Sequence, residues 1–242
     1  MDYKKIYESQ YGKKKLIGQK QLNFFGLRKV LRCWDISRYD MAYRLAERGT
    51  RVLDVGCGNG YVLFRLMDKY NELYGIDIAS LRLEEARKTT AEKYSDLPKR
   101  FYFYEGNLDK TMDFESGFFD TIICLAILEH VYDIYSLVKE LHRVLKPGGH
   151  VIAMVPNIAY LKYRIKLAFG FLPVTSSPYD WDEIGWDGGH IHYFTMRKFC
   201  ELFESQRFRI IEKTGSGFLA PLRSWRPSLL SGDLIIKAIK PI

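Results

Sequence analysis

The stretch that most constrains this chain is Val52-Leu53-Asp54-Val55-Gly56-Cys57-Gly58-Asn59-Gly60. Val52, Leu53 and Val55 make an almost unbroken apolar run, the pattern of a parallel strand covered on both faces. Glycine then recurs at every second position, so the backbone can turn sharply and a ligand can approach it without meeting a Cβ. From Tyr61 onward Val62, Leu63, Leu66 and Met67 fall at helical spacing. Strand, glycine turn and helix form the first half of a nucleotide-binding unit, with the ligand at the carboxyl end of the strand.

Two ligand classes use such a turn. A dinucleotide site requires G-x-G-x-x-G, so that pyrophosphate rests on the helix N-terminus. Here the spacing is G-x-G-x-G, and Asp54 stands two residues before the first glycine. A carboxylate there repels phosphate and attracts an ammonium group. The next apolar run, Leu73-Tyr74-Gly75-Ile76, ends at Asp77, a position suited to ribose hydroxyls. Ribose plus a cationic amino acid, without phosphate, describes S-adenosylmethionine. In these residues the chain resembles the class I S-adenosylmethionine-dependent methyltransferases, whose first motif is an acidic residue followed by G-x-G-x-G. The resemblance implies cofactor contacts from Asp54, Gly56, Cys57, Gly58 and Gly60. It adds Asp77 and Ile78 after the second strand, Asn107 and Leu108 after the third, and Leu125 at the end of the fourth. Asn107 stands where the family more often has Asp; its amide oxygen can still accept a hydrogen bond from adenine.

The rest of the chain alternates in the same α/β manner. A helix is expected from an N-cap at Ser80 to about Lys93, then a strand at Phe101–Tyr104 and a buried strand at Phe118–Cys124. Ile134, Leu137, Val138, Leu141, Val144 and Leu145 define a strongly amphipathic helix. Lys146-Pro147-Gly148-Gly149 stops it, and Val151–Val155 is the fifth strand. The run Leu141 to Gly149 fits the family's L-x-R-V-L-K-P-G-G. Thr195 can cap a helix to about Glu204, and residues 207–211 and 234–239 supply the last two strands, with a loop over 216–231. The resemblance implies a Rossmann-like, doubly wound, seven-stranded and mostly parallel sheet with an antiparallel last strand. Two domains are expected: an N-terminal helical cap over residues 1–50, closed by Gly49, and the catalytic domain over 51–242.

Residues 157–192 form an insertion. Tyr160, Leu161, Ile165, Leu167 and Phe169 mix with Lys162, Arg164 and Lys166. A lid helix packed over the substrate pocket and a membrane-surface helix with a basic face both fit this pattern, the lid more simply. From the strand at 101 to about 205 the chain also resembles methionine-biosynthesis W proteins, through Pro173-Val174-Thr175, Pro178-Tyr179-Asp180-Trp181 and Ile191-His192. It departs from them at His190, where Asn is usual, and at Glu129-His130, which look like the ubiquinone-type methyltransferases.

Charge and cysteines narrow the setting. The net charge is +8, and residues 1–50 hold twelve Lys/Arg against five Asp/Glu. That basic segment could meet RNA or an anionic surface, but it lacks an aromatic RNA-binding signature and reads more simply as a solvated face. Cys33, Cys57, Cys124 and Cys200 are scattered, as in reduced cytoplasmic proteins, and no run approaches the roughly 18 apolar residues of a membrane span.

Methyl transfer needs a base only when the acceptor must lose a proton. His130, His190 and His192 are the candidates, with Glu129 as an orienting group, and Asp187 and Tyr193 are weaker ones. His190 and His192 could share a metal, but no third ligand is evident, so no metal is expected. Adenine-amino and cytosine-C5 nucleic-acid methyltransferase motifs are missing. The leading expectation is a cytoplasmic enzyme methylating a small-molecule O or N acceptor. A regulatory protein that only holds the cofactor and an RNA methyltransferase are the alternatives. An NAD-dependent dehydrogenase is disfavoured by Asp54 and the glycine spacing.

Overall fold

The apolar run at 52–55 becomes the middle of a sheet. Val52, Leu53 and Val55 are fully buried because helices cover both faces of the strand that holds them. The computed structural model describes residues 34–97, 100–176 and 189–242. In chain order the elements are α1 (Arg38–Leu45), β1 (Gly49–Val55), α2 (Tyr61–Leu66), β2 (Tyr70–Asp77), α3 (Ser80–Lys93), β3 (Phe101–Glu105), β4 (Phe119–Leu125) and α4 (Ile134–Val144). There follow β5 (Leu145–Pro156), α5 (Leu161–Ala168), α6 (Met196–Ser205), β6 (Arg209–Thr214), α7 (Ala220–Trp225), α8 (Pro227–Leu230) and β7 (Asp233–Ile239).

The strands form one seven-stranded sheet in the order β3-β2-β1-β4-β5-β7-β6. Strands β1 to β5 are parallel, and β7 runs antiparallel to both of its neighbours, β5 and β6. The chain winds outward from β1 to β3, then returns to β4 on the other side of β1, which makes β1/β4 the switch point where open α/β sheets bind ligands. Leu53, Val55, Ile122, Cys124 and Ala153 pack on the face covered by α4 and α6. Val52, Ile123, Ile152 and Met154 pack on the other face with α1 and α2. Neighbouring residues of one strand thus enter opposite cores, as the two-residue period of a strand demands.

Helix α4 forms where the periodicity placed it. Leu137, Val138, Leu141 and Val144 are buried, and Asp133 caps the helix by accepting from the Ser136 amide at 3.0 Å. Each such side chain contributes about 1.5–3 kcal/mol on burial. Thr195 caps α6 as expected, accepting from Lys198 N.

Several local expectations are corrected. Ser80 is the first residue of α3 and not its cap. Ala79 holds the cap position, and its amide is satisfied by the Asp77 carboxylate at 2.8 Å. Gly49 opens β1 instead of closing a helix, since α1 already ends at Leu45. Residues 216–231 contain α7 and α8, whose first turns use Pro221 and Pro227, residues that are tolerated there because the first helical amides have no partner. α5 is present and buries none of its residues: Leu161, Ile165 and Leu167 are exposed. α1 is built into the same core as α2, through Met41, Ala42 and Leu45. The rest of the proposed N-terminal cap, with its basic run, lies outside the described residues.

Candidate active site

The carboxyl ends of β1 to β4 finish together at one edge of the sheet. Val55 pairs with Ile76 and with Cys124, and Asp77 pairs with Glu105. The glycine turn rises from that edge. Gly56 and Cys57 donate their amides to the Ile76 carbonyl at 2.8 and 3.1 Å, which ties the turn to β2. Gly56 has φ +74°, and a Cβ there would overlap the Ile127 side chain. Gly58, at φ +51°, has nothing within 4 Å of where its Cβ would stand. The turn is therefore closed against the protein at Gly56 and open toward solvent space at Gly58, a cradle a side chain would fill.

Two carboxyl groups lie beneath this turn. Asp77 accepts from the Gly58 amide and the Ala79 amide, both at 2.8 Å. Its burial raises its pKa, an effect offset in part by those amides and by Arg82. Asp54, only 3% exposed, has one oxygen, Oδ2, that is fully buried without a hydrogen-bond partner. Burial, and then the charge of Asp77, push the Asp54 carboxyl well above the usual range. A buried acceptor left unmatched costs about 1–3 kcal/mol. An ammonium group beside Asp54 would satisfy it, whereas a phosphate would worsen the repulsion. On this donor and acceptor set the residues fit an S-adenosylmethionine amino group and ribose, and they do not fit a pyrophosphate.

The other predicted cofactor positions are spread along the same edge. Ile78 is half-buried after β2, and Leu125 is half-buried at the end of β4. Asn107 is exposed after β3, and its Oδ1 accepts from the Asp109 amide at 2.9 Å. Leu108 lies beside it and also lines a cavity of about 700 Å³ with Thr111, Lys139 and Arg143. Of the predicted site residues, Leu108 alone lines that cavity. Cys57 turns its thiol inward against Gly75, where a Cβ would come within 2.6 Å of Sγ. Burial, and then Asp54 and Asp77, raise the pKa of that thiol well above its ordinary value, so Cys57 offers the site its backbone.

Beyond β4 the chain brings together the polar residues expected to meet the acceptor. Ala126 takes φ +58°, a conformation rare outside glycine, and redirects the strand over the turn. Glu129 follows, 1% exposed, and its carbonyl accepts from the amides of Ile191 and His192 at 2.9 and 3.3 Å. Those contacts draw the segment after residue 188 onto the end of β4. His130 Nδ1 lies 2.6 Å from the Gly189 carbonyl, and His190 Nδ1 lies 2.7 Å from Thr175 Oγ1. The two rings stand 4.9 Å apart, edge to face. Side-chain donor atoms of Glu129, His130 and His190 all fall within 4.8 Å of one another.

His192 does not join them. Its Nε2 is 3.2 Å from the Tyr132 carbonyl. The metal pairing weighed from sequence, His190 with His192, is thus replaced by a different group with a third member. Tyr193 is half-exposed, and Asp187 lies outside the described residues. Thr175 and Gly75 stood in quoted runs without a site role, and the Gly189 carbonyl was given none. Only Gly75 had a local signal, a glycine inside an apolar strand.

This sheet order, with β7 antiparallel to both of its neighbours, defines a Rossmann-like fold of the class I methyltransferase type. Residues 53–153 match the methyltransferase domain family. The ubiquinone biosynthesis O-methyltransferase of Alkalilimnicola ehrlichii is 36% identical over 109 residues, 45% of this chain and 42% of that one. The matched part spans less than half the length of such curated relatives. Among solved structures, a Methanosarcina mazei S-adenosylmethionine-dependent methyltransferase has a TM-score of 0.62 at 22% identity, covering 86% of this chain and 99% of its own. A Haloferax volcanii methyltransferase, solved in complex with its Trm112 activator, has a TM-score of 0.61 at 18% identity, covering 90% and 93%. Residues 53–153 are thus similar to the methyltransferase domain family, and the chain shares the fold of S-adenosylmethionine-dependent methyltransferases. Among the described residues no helix is long and apolar enough to cross a membrane.

Proposed function

We propose that the protein transfers a methyl group from S-adenosylmethionine to a hydroxyl of a small molecule, the oxygen branch of the O-or-N expectation. The observation that carries this reading is the meeting of two polar groups at one sheet edge. The Asp54/Asp77 turn suits the cofactor, and the Glu129, His130 and His190 side chains gather at the end of the neighbouring strand. When bound, the cofactor supplies an activated methyl group on a sulfonium.

This chain's residues do the rest. Asp54 receives the ammonium, and Asp77, already fixed by two amides, has lone pairs left for ribose hydroxyls. Gly58 leaves room for the ligand backbone. The imidazoles of His130 and His190, with Glu129 as an orienting neighbour, face the acceptor and ease the loss of its proton. Such a cluster is unnecessary for an amine that is already neutral, and this favours oxygen over nitrogen. The relatives named as O-methyltransferases point the same way. Positioning supplies most of the rate, since well-oriented reactants gain up to about 7–11 kcal/mol in favourable cases.

Calorimetric titration with S-adenosylhomocysteine, with NAD in parallel, tests the first half. Micromolar binding of the former alone is expected. Binding without turnover across a panel of phenols, alcohols and amines would instead favour the regulatory reading. A panel in which amines alone are methylated would overturn the hydroxyl assignment.

A further inference from the structure

We propose that Glu129, His130 and His190 form a binding site for one divalent transition-metal cation of the zinc type. The site stands on geometry. Its members come from two segments about sixty residues apart, joined by the bonds from the Ile191 and His192 amides to the Glu129 carbonyl. One carboxylate and two imidazoles are the donor set of an open metal site, three protein ligands with a position left for substrate. Their donor atoms lie within 4.8 Å of one another. On a tetrahedral zinc they would stand about 3.4 Å apart, so binding needs them to close by no more than about 1.4 Å.

A second observation points the same way. The Gly189 carbonyl can only accept, so the 2.6 Å contact fixes the proton of a neutral His130 on Nδ1 and puts the ring's lone pair on Nε2. Thr175 Oγ1 engages Nδ1 of His190 at 2.7 Å, as donor or acceptor, and holds that ring from the same nitrogen. Outer partners on the far ring nitrogen are the usual means by which a protein aims a histidine at a metal. Glu129 is 1% exposed, and a carboxylate at that depth is stabilised by a cation among its neighbours.

The cation site itself is independent of the methyl-transfer reading; its role rests on that reading. In that role the cation holds the acceptor oxygen and lowers the pKa of its hydroxyl. The imidazole lone pairs then serve as ligands, and the acceptor proton passes to solvent.

The test is metal-loading of the full chain, stripped with a chelator and dialysed against Zn²⁺ or Co²⁺. Metal content and the visible spectrum of the cobalt form are the readouts. One equivalent per chain with four- or five-coordinate cobalt bands is expected. Glu129→Gln and His190→Ala should each weaken affinity at least tenfold with the thermal melt of the stripped protein retained. His192→Ala should bind as the parent does. A folded parent that binds no stoichiometric metal overturns the site. So does equal loss in His192→Ala, which would move the metal to the His190/His192 pair. S-adenosylhomocysteine binding, measured on the stripped and loaded samples, keeps the two readings apart. If the cofactor binds and metal does not, this inference alone fails. If metal binds and the cofactor does not, the methyl-transfer reading falls and the cation site stands.

Discussion

The two ends of β1 treat their carboxylates, one half-buried and one buried, in opposite ways. At the amino end, Asp120 on the adjacent strand accepts from the amides of Thr50 and Arg51 at 2.9 and 2.7 Å and from Lys146 Nζ at 2.5 Å. Burial works to raise its pKa, but Lys146 and the two amides outweigh it, and the carboxyl is held below its usual value. At the carboxyl end, Asp54 is deeper, has a neighbouring carboxylate and keeps Oδ2 unmatched, so its pKa goes up. One residue type thus does two jobs at the two ends of one strand. The matched carboxylate fastens β1, β4 and β5 together; the unmatched one is complementary to a cation the fold does not itself contain.

Removing Asp77 should produce the largest effect, because it belongs to both patterns: it is matched by two amides and, in the function proposed above, it also receives the ribose hydroxyls. Asp77→Ala should lower S-adenosylhomocysteine affinity about a hundredfold in calorimetry, close to 3 kcal/mol, as charge-assisted hydrogen bonds are lost. Affinity unchanged from the parent would remove the ribose assignment.

Asp120→Ala tests the structural end. It should cost about 2 kcal/mol of stability, roughly 4–8 °C in thermal midpoint for a chain of this size, with cofactor affinity unchanged. Its pH dependence has a definite sign. A carboxylate with a depressed folded pKa contributes stability above its unfolded value, near 4, and loses it as pH falls through the folded value. The gap between parent and Asp120→Ala should therefore narrow in acid.

Asp54→Asn should behave in the reverse sense. With a raised folded pKa, the parent's destabilisation is absent in acid and grows as pH rises above about 4 toward the folded value. The ligand-free variant should therefore melt a few degrees above the parent at neutral pH, and the difference should vanish in acid. It should also bind S-adenosylhomocysteine about tenfold more weakly, because an amide replaces a charge partner. A variant less stable than the parent at neutral pH would show that Asp54 is matched within the fold.

What the sequence made legible follows from the range of the forces involved. The turn, the buried strands and α4 were readable because each depends on residues within one or two turns of chain. The burial of Asp54 and Asp77 at the strand ends was readable because each belongs to an apolar strand that enters the core. The pairing of His130 with His190 was not, since it depends on the Gly189 carbonyl 59 positions from His130 and on Thr175. The choice between His190 and His192 turned on which ring finds the Tyr132 carbonyl, a contact of the folded chain alone. The misplaced cap of α3 is a local case of the same kind. Ser80 looked like the capping residue, but Asp77, already held at the strand end, reaches the Ala79 amide first.

The smallest effect is expected at Asn107, where the contrast between buried and exposed polar groups can be sharpened. Asn107 is exposed, and its amide oxygen is already engaged with the Asp109 amide. Asp109 in turn accepts from the amides of Tyr132 and Asp133 at 2.9 and 3.3 Å, so this short turn helps to place the loop after β4. A hydrogen bond to adenine made in water's reach is worth about 0.5–1.5 kcal/mol, at the low end here because solvent competes for both partners. Asn107→Ala should therefore weaken S-adenosylhomocysteine binding by about threefold in the same titration. Asn107→Asp keeps the turn's acceptor and should bind at least as well as the parent. If the alanine variant instead loses as much as Asp54→Asn, an exposed amide at the end of β3 would equal a buried carboxylate at the end of β1. Burial would then not be what gives the cofactor turn its strength.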